Sequence, residues 1–296
     1  FDLTPFAKFE VAGPGALEFL QKLCTNQMDK PVGVITYTSM LTPEGGIKCD
    51  LTVTRLGENR FMVVTGGVMG LHDLGWMNSH LPADSSVKIT DVTVKFCCIG
   101  LWGPRARDLL RSICVNDLGK EAFPYMTSRE FFIKDIPVLA LRISYVGELG
   151  WELYGPMDQG IELWDFLWKA GESLDVLAAG GGAFDSLRLE KGYRLWGNDI
   201  HTEYNPYEAG IGFTAKMDKG DFIGREALEE IGIAGLKRKL CCLILDDRSA
   251  VVMGKEPILD GNNVLGYVTS ANYGYSIGCG IVYAYLPIDY AGFGTK

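Results

Sequence analysis

Two acids stand where an acid is not ordinarily found. Glu152 falls between Trp151 and Leu153, with Tyr154 after it, in a segment that reads as a β-strand. Such positions rarely take a carboxylate unless it is paired, so an arginine or a ligand is the expected partner. Asp50 follows the turn-like run Pro43-Glu44-Gly45-Gly46 and shares a strand face with Thr52 and Thr54, because alternate strand residues point the same way. A carboxylate at the end of such a strand can meet a ligand, although taken alone it reads as a surface acid. Asp185 and Arg188 are spaced i,i+3 on one helix, the spacing of a local ion pair.

Other chemistries lack their residues. There is no G-x-G-x-x-G fingerprint for a dinucleotide. Gly180-Gly181-Gly182 instead reads as a tight entry to a helix over 183–191. The three histidines, His72, His80 and His201, form no H-E-x-x-H or other compact ligand set, and no G-x-S-x-G elbow occurs. Eight cysteines include the adjacent pairs Cys97-Cys98 and Cys241-Cys242 but no C-x-x-C. They read as buried strand thiols in a reducing compartment.

The elements that must position the two acids form an α+β pattern. The chain has 296 residues, 47% hydrophobic and 22% charged, with a net charge of −9. This composition folds, and the length suggests about two domains. The only dense basic run is Lys237-Arg238-Lys239, a strand entry, so a nucleic-acid partner is disfavoured. Apolar runs such as 240–245 fall far short of the roughly 20 residues of a bilayer-spanning helix, so no membrane role is expected. The start at Phe1, without Met or a leader pattern, reads as the interior of a longer chain.

A hairpin is expected from 47–55 and 60–65 around Leu56-Gly57-Glu58-Asn59, with Asp50 on its first strand. A second is expected from 138–145 and 150–154, with Glu152 on its return strand. Helical periodicity follows Gly13-Pro14-Gly15 and Pro104. Another helix carries Ile161, Trp164, Leu167 and Trp168, with Asp158 as N-cap and its tryptophans in the core. From about residue 233 the pattern becomes strand-rich, giving domains at 1–232 and 233–296.

These positions lie in strings that resemble the tetrahydrofolate-dependent aminomethyltransferase family, whose namesake is the glycine-cleavage T-protein. The strings are Tyr37-Thr38-Ser39-Met40-Leu41, the run from Glu44-Gly45-Gly46 through Asp50 to Leu56, and the run from Tyr145-Val146-Gly147-Glu148 to Tyr154. The run from Asp185-Ser186-Leu187-Arg188 to Trp196, then Asn205-Pro206-Tyr207-Glu208-Ala209-Gly210 and Asp221-Phe222-Ile223-Gly224-Arg225, resembles one branch more narrowly. That branch is the folate-binding C-terminal half of sarcosine and dimethylglycine dehydrogenases or oxidases. The resemblance implies a three-module cloverleaf around a central folate cleft, ending in a small and incomplete C-terminal β barrel. It implies tetrahydrofolate as cofactor, a methylene-iminium or formaldehyde one-carbon donor, and FAD only on an N-terminal half absent here, covalently joined or associated. The compartment would be the cytoplasm or the mitochondrial matrix.

Residue by residue, the resemblance makes Asp50 the catalytic acid beside the reactive folate nitrogens, where a carboxylate can stabilise an approaching cation. Cys49 replaces the acid that family members often carry next to it. Glu152 matches the pterin-binding glutamate, and a carboxylate suits that role because it accepts two parallel N–H bonds from an amino-amide edge. Tyr145 matches a folate-contacting tyrosine, while Val64, Thr65, Tyr37 and Met40 are wall candidates. Arg188 matches a position near the glutamyl tail and Trp196 a wall position. Phe184 stands where T-proteins often carry arginine, which removes one contact to that tail. Two other members of the architecture remain as alternatives: a stand-alone aminomethyltransferase served by a lipoyl carrier protein, against which the string at 190–196 tilts, and a non-catalytic regulatory subunit.

Overall fold

A computed structural model describes residues 1–295. In chain order the elements are β1 (Ala7–Ala12), α1 (Ala16–Leu23), β2 (Ile35–Leu41), β3 (Ile47–Gly57), β4 (Arg60–Thr65), α2 (Gly70–Ser79) and β5 (Lys88–Asp91). They continue with β6 (Phe96–Trp102), α3 (Ala106–Arg111), β7 (Ser128–Ile133), β8 (Ile136–Leu141), β9 (Gly150–Pro156) and α4 (Gly160–Gly171). The last are α5 (Gly181–Lys191), α6 (Arg225–Ile231), β10 (Arg238–Ile244), β11 (Pro257–Asp260), β12 (Asn263–Gly274) and β13 (Cys279–Pro287). The mixed helix-and-sheet class is the one expected.

The chain divides into two compact units. The first comprises Phe1–Gln21, Gln27–Tyr37 and Leu51–Gly180; the second comprises Lys22–Asn26, Thr38–Asp50 and the chain from Gly181 onward. Position 232 therefore lies within the second unit, at the glycine that follows α6.

The first unit is built on two antiparallel sheets. One has the order β2-β3-β4-β1-β5, with the expected hairpin pairing Thr52 with Val64 and Arg55 with Phe61. The other has the order β6-β9-β8-β7. Alternation decides which side chains this second sheet buries. Trp151 and Leu153 enter a core with Ile99, Leu101, Leu110, Phe123, Phe131 and Leu163, while Glu152 and Tyr154 take the opposite face. Helices α3 and α4 supply Leu109, Leu110, Leu163 and Leu167 to that core.

Three local expectations shift. Tyr145 lies in the loop beyond β8, which ends at Leu141. Asp158 sits inside a 3-10 turn at 157–159, and no side chain caps α4. Trp164 is only partly buried and Trp168 is exposed; they stack on each other at 6.3 Å on the rim of the core.

In the second unit, α5 and the strands β10–β13 share a small core of Leu189, Tyr204, Leu240, Ile281, Tyr283 and Tyr285. The strands form a four-stranded sheet of order β10-β13-β12-β11. This corrects the expected barrel: among the described residues the sheet is open, with β10 and β11 at its edges, because closure requires every strand to be paired on both sides. Cys241 and Cys242 lie on the edge strand β10, and Cys242 is exposed, so this thiol pair is not buried as expected. Cys97 and Cys98 are buried. Among the described residues no helix is long and apolar enough to cross a membrane, and no group of His, Cys, Asp and Glu is arranged to hold a metal ion.

Candidate functional site

In the first unit, Glu152 is placed by β9 between two strands that give it no charged neighbour. Its cross-strand partners are Gly100 on β6 and Leu141 on β8. Gly100 is held to glycine by crowding, since a Cβ there would lie 2.9 Å from the Trp102 ring. The Glu152 carboxylate accepts one protein hydrogen bond, from the Tyr154 hydroxyl to Oε2 at 2.6 Å. Its Oε1 has no partner among the described residues and is not sealed from solvent. Among the described residues, no basic nitrogen lies within ion-pair distance of it.

Burial therefore dominates the electrostatics. It pushes the Glu152 carboxyl up to about 7, while the Tyr154 hydroxyl and the more distant Lys8 ammonium pull the other way. Lys8, on β1, is itself fully buried. Its ammonium donates to the Thr4 carbonyl at 2.9 Å and the Phe6 carbonyl at 2.8 Å and stands 6.0 Å from the Tyr154 ring centroid. Desolvation lowers its pKa, opposed by Cys98, Cys97, Glu152 and Asp2. Burial, with Glu152 adding to it, holds the Cys98 thiol well above its ordinary value, and the Tyr154 hydroxyl pulls the other way. Lys8 and Tyr154 were not singled out from the sequence, and Cys98 was read there only as a buried strand thiol. The signal for Tyr154 was its i,i+2 spacing from Glu152; the signal for Lys8 was a lysine between Ala7 and Phe9 in an apolar strand.

The other candidates of this unit are spread along three elements. Val64 is buried on β4 opposite Lys8. Thr65 is buried, and its hydroxyl donates to Asp73 Oδ2 on α2 at 2.6 Å. Tyr37 is half-buried on β2 and Tyr145 half-buried in the loop after β8.

In the second unit, Asp50 is half-buried on β3 and Cys49 is buried beside it, on the other strand face as expected. The turn before β3 needs its glycines. Gly45 has φ +86°, and a Cβ at Gly46 would lie 1.9 Å from the Thr202 carbonyl oxygen. The Ile47 amide donates to the Tyr204 carbonyl at 2.9 Å and anchors the strand's entry. Met40 is fully buried opposite Cys24 and presents no surface to a ligand. Trp196 is half-buried against a cluster of Leu41, Ile47, Ile200 and Ile211.

Arg188 is 2% exposed and engaged on every side. Its Nε and Nη2 meet Asp185 Oδ1 at 2.9 and 2.8 Å; Nη1 donates to Asp199 Oδ2 at 2.7 Å and to the Tyr193 carbonyl at 3.2 Å; Nη2 donates to Ser270 at 2.8 Å. Asp199 also accepts from Thr269 at 2.5 Å and from the Leu195 amide at 3.0 Å. A guanidinium has five N–H donors, and these contacts commit all five, so the geometry is that of the ion pair.

The comparisons with known proteins agree on the family. The GCVT N-terminal domain profile matches residues 1–219, and that of the glycine cleavage T-protein C-terminal barrel domain matches residues 238–296. The chain is 38% identical to mitochondrial dimethylglycine dehydrogenase of Mus musculus, over all of this chain but about a third, 34%, of that protein's length. It is 36% identical to an aminomethyltransferase of Halothermothrix orenii, covering 98% of this chain and 80% of that one. The glycine cleavage system aminomethyltransferase T from Bartonella henselae superimposes with a TM-score of 0.89 at 28% identity, covering 100% of this chain and 80% of that one. The chain belongs to the glycine-cleavage T-protein family of aminomethyltransferases, a family that uses tetrahydrofolate.

Proposed function

We propose that this chain is a tetrahydrofolate-dependent one-carbon transfer domain. The observation that supports it is Glu152: a desolvated carboxylate with one oxygen held by Tyr154 and the other without a protein partner. A buried carboxylate left in this state costs stability unless a ligand completes it. The amino-amide edge of a pterin has the complementary chemistry, two parallel N–H donors, so the residue fits the group. Tetrahydrofolate supplies the secondary amine nitrogens that accept the one-carbon unit. Asp50 is assigned to stabilise the incoming cation by its negative charge and to orient the accepting amine. Tyr145, Tyr37, Val64, Thr65 and Trp196 are proposed as walls of the folate site. Arg188 is assigned a structural role, and Met40 acts through packing.

The larger context is proposed to be an FAD-dependent sarcosine- or dimethylglycine-type dehydrogenase or oxidase, with the FAD on another domain and the mitochondrial matrix as compartment. What supports this is full coverage of this chain against a third of a mitochondrial dimethylglycine dehydrogenase. The 80% coverage of a free aminomethyltransferase supports a stand-alone enzyme as the second reading. Calorimetric titration of the chain with tetrahydrofolate, wild type beside Glu152→Ala, tests the folate site. Loss of about 1.5–3 kcal/mol of binding is expected for a charged hydrogen-bonded contact. Unchanged affinity removes the pterin role from Glu152, and no binding by the folded wild type favours a non-catalytic regulatory subunit.

A further inference from the structure

We propose that Tyr154 is the positioning residue of the Glu152 carboxylate: its hydroxyl fixes Oε2, so that the ligand meets a carboxylate already oriented with Oε1 free. This rests on Glu152 being the pterin ligand and adds to it a residue that touches no part of the ligand. The geometry carries it. Tyr154 is 1% exposed and its ring lies within the first unit, so its hydroxyl cannot swing into solvent. That hydroxyl reaches Glu152 Oε2 at 2.6 Å, a short O–H···O distance expected for an ionised acceptor. The two residues are i,i+2 on β9 and therefore on one face, and neither Gly100 nor Leu141 opposite Glu152 can replace the bond. A carboxylate free to rotate about its last torsion would have to give up that freedom each time a ligand bound, at a cost in affinity.

The Tyr154 ring is in turn fixed by the buried cluster around it. Lys8 on β1 stands 6.0 Å from the ring centroid and is itself tied to the Thr4 and Phe6 carbonyls. Cys98 on β6 is the cross-strand partner of Tyr154. The groups that act on Glu152 are thus Tyr154 from its own strand and Lys8 from β1. Of these, Tyr154 makes the direct bond. Its loss leaves the carboxylate less well satisfied as an anion, so Glu152 should hold its proton to higher pH.

The test is tetrahydrofolate binding by the whole chain at a series of pH values, for wild type, Tyr154→Phe, Glu152→Gln and the double variant. Wild-type affinity should fall as pH drops through about 7, where Glu152 takes up its proton. Tyr154→Phe should weaken binding about tenfold, the size of one charged hydrogen bond at the low end, and move the midpoint to higher pH. In the Glu152→Gln background the same change should have little further effect, because Tyr154 acts through the carboxylate. A midpoint that stays put, or an equal loss in both backgrounds, overturns the proposal and leaves Tyr154 as packing. If Glu152→Gln binds like wild type, the pterin reading of Glu152 falls; if it loses binding while Tyr154→Phe does not, this inference alone falls. Should Tyr154→Phe fail to fold, 3-fluorotyrosine placed at position 154 keeps the shape and donates more strongly. It should move the midpoint to lower pH, and an unmoved midpoint overturns the proposal equally.

Discussion

Glu152→Gln should make the protein more stable at pH 8 and less able to bind folate, and the two effects share one cause. In the folded chain the Glu152 carboxyl is pushed from its ordinary 4.5 up to about 7, chiefly by burial. A group whose folded pKa is raised contributes stability that is fully present below the unfolded value and lost as pH rises through the folded one. The window is therefore about 4.5 to 7. At 1.36 kcal/mol per unit the full difference is roughly 3 kcal/mol, and because Oε1 still reaches solvent a discounted value of about 2 kcal/mol is the better expectation. Glutamine is neutral at every pH and keeps an acceptor for Tyr154, so it removes this loss without a change of shape. Urea unfolding read by tryptophan fluorescence suits the measurement, because Trp76, Trp102, Trp151, Trp164 and Trp168 belong to the unit that holds Glu152 and only Trp196 to the other. Wild type and variant should have similar midpoints near pH 4.5, with the variant ahead by about 2 kcal/mol at pH 8. A difference that stays constant across this range would refute the claim that the carboxylate is desolvated. A variant less stable than wild type at pH 8 would show that the anion is better satisfied than its contacts allow.

Asp50→Ala should leave the fold intact and lower methylene-tetrahydrofolate formation by ~10²–10³-fold, the usual scale for a lost electrostatic contact at a reacting centre; normal turnover would remove Asp50 from the chemistry. Arg188→Ala should lower the unfolding free energy by about 3–5 kcal/mol, since it strands the fully buried Asp199 without its cation; unchanged stability with lost folate affinity would return Arg188 to the ligand. An aromatic disulfide reagent should label exposed Cys242 well before fully buried Cys98, and equal rates would contradict the packing around Tyr154.

The parts of the fold governed by local rules were legible. The hairpin of β3 and β4 followed from alternation and a polar turn, and its register delivers Asp50 to the half-exposed face beside Thr52. The Asp185 and Arg188 pair followed from helical spacing. What local rules do not contain was missed. Asp158 looked like a cap because its type and position fit, but a 3-10 turn begins one residue earlier and absorbs it. Tyr145 looked like strand because the run before it is apolar, yet β8 stops at Leu141 and the chain turns away. Asp199 was missed as the second partner of Arg188, since the helix that carries Arg188 ends at Lys191 and only the loop's return brings Asp199 to it. For Glu152 the anomaly was visible and its environment was not. The sequence shows an acid in an apolar strand; it does not show that the cross-strand neighbours are a glycine and a leucine, or that Lys8, the cation that acts on it, is spoken for by two carbonyls.

That contrast separates Asp199 from Glu152 by the work each can do. Asp199 is fully buried and fully engaged: one oxygen accepts from Arg188 and a backbone amide, and the other from Thr269. Nothing is left for a ligand, and the group stabilises the fold only as long as all its partners remain. Glu152 has the opposite balance, with one bond from a tyrosine, no cation in contact among the described residues, and an oxygen open to solvent. Its desolvation is a standing cost that the Tyr154 hydroxyl and Lys8 offset only in part, and such a cost persists where binding repays it. A pair of N–H donors arriving at Glu152 would stabilise the anion that burial disfavours, so ligand binding and ionisation must be coupled in sign: the ligand should bind better as pH rises through about 7, and its binding should draw the Glu152 carboxyl down. Proton release on adding tetrahydrofolate near pH 7, absent in Glu152→Gln, is the direct signature of that coupling, and its absence in the wild type would mean that the ligand's donors do not reach this carboxylate.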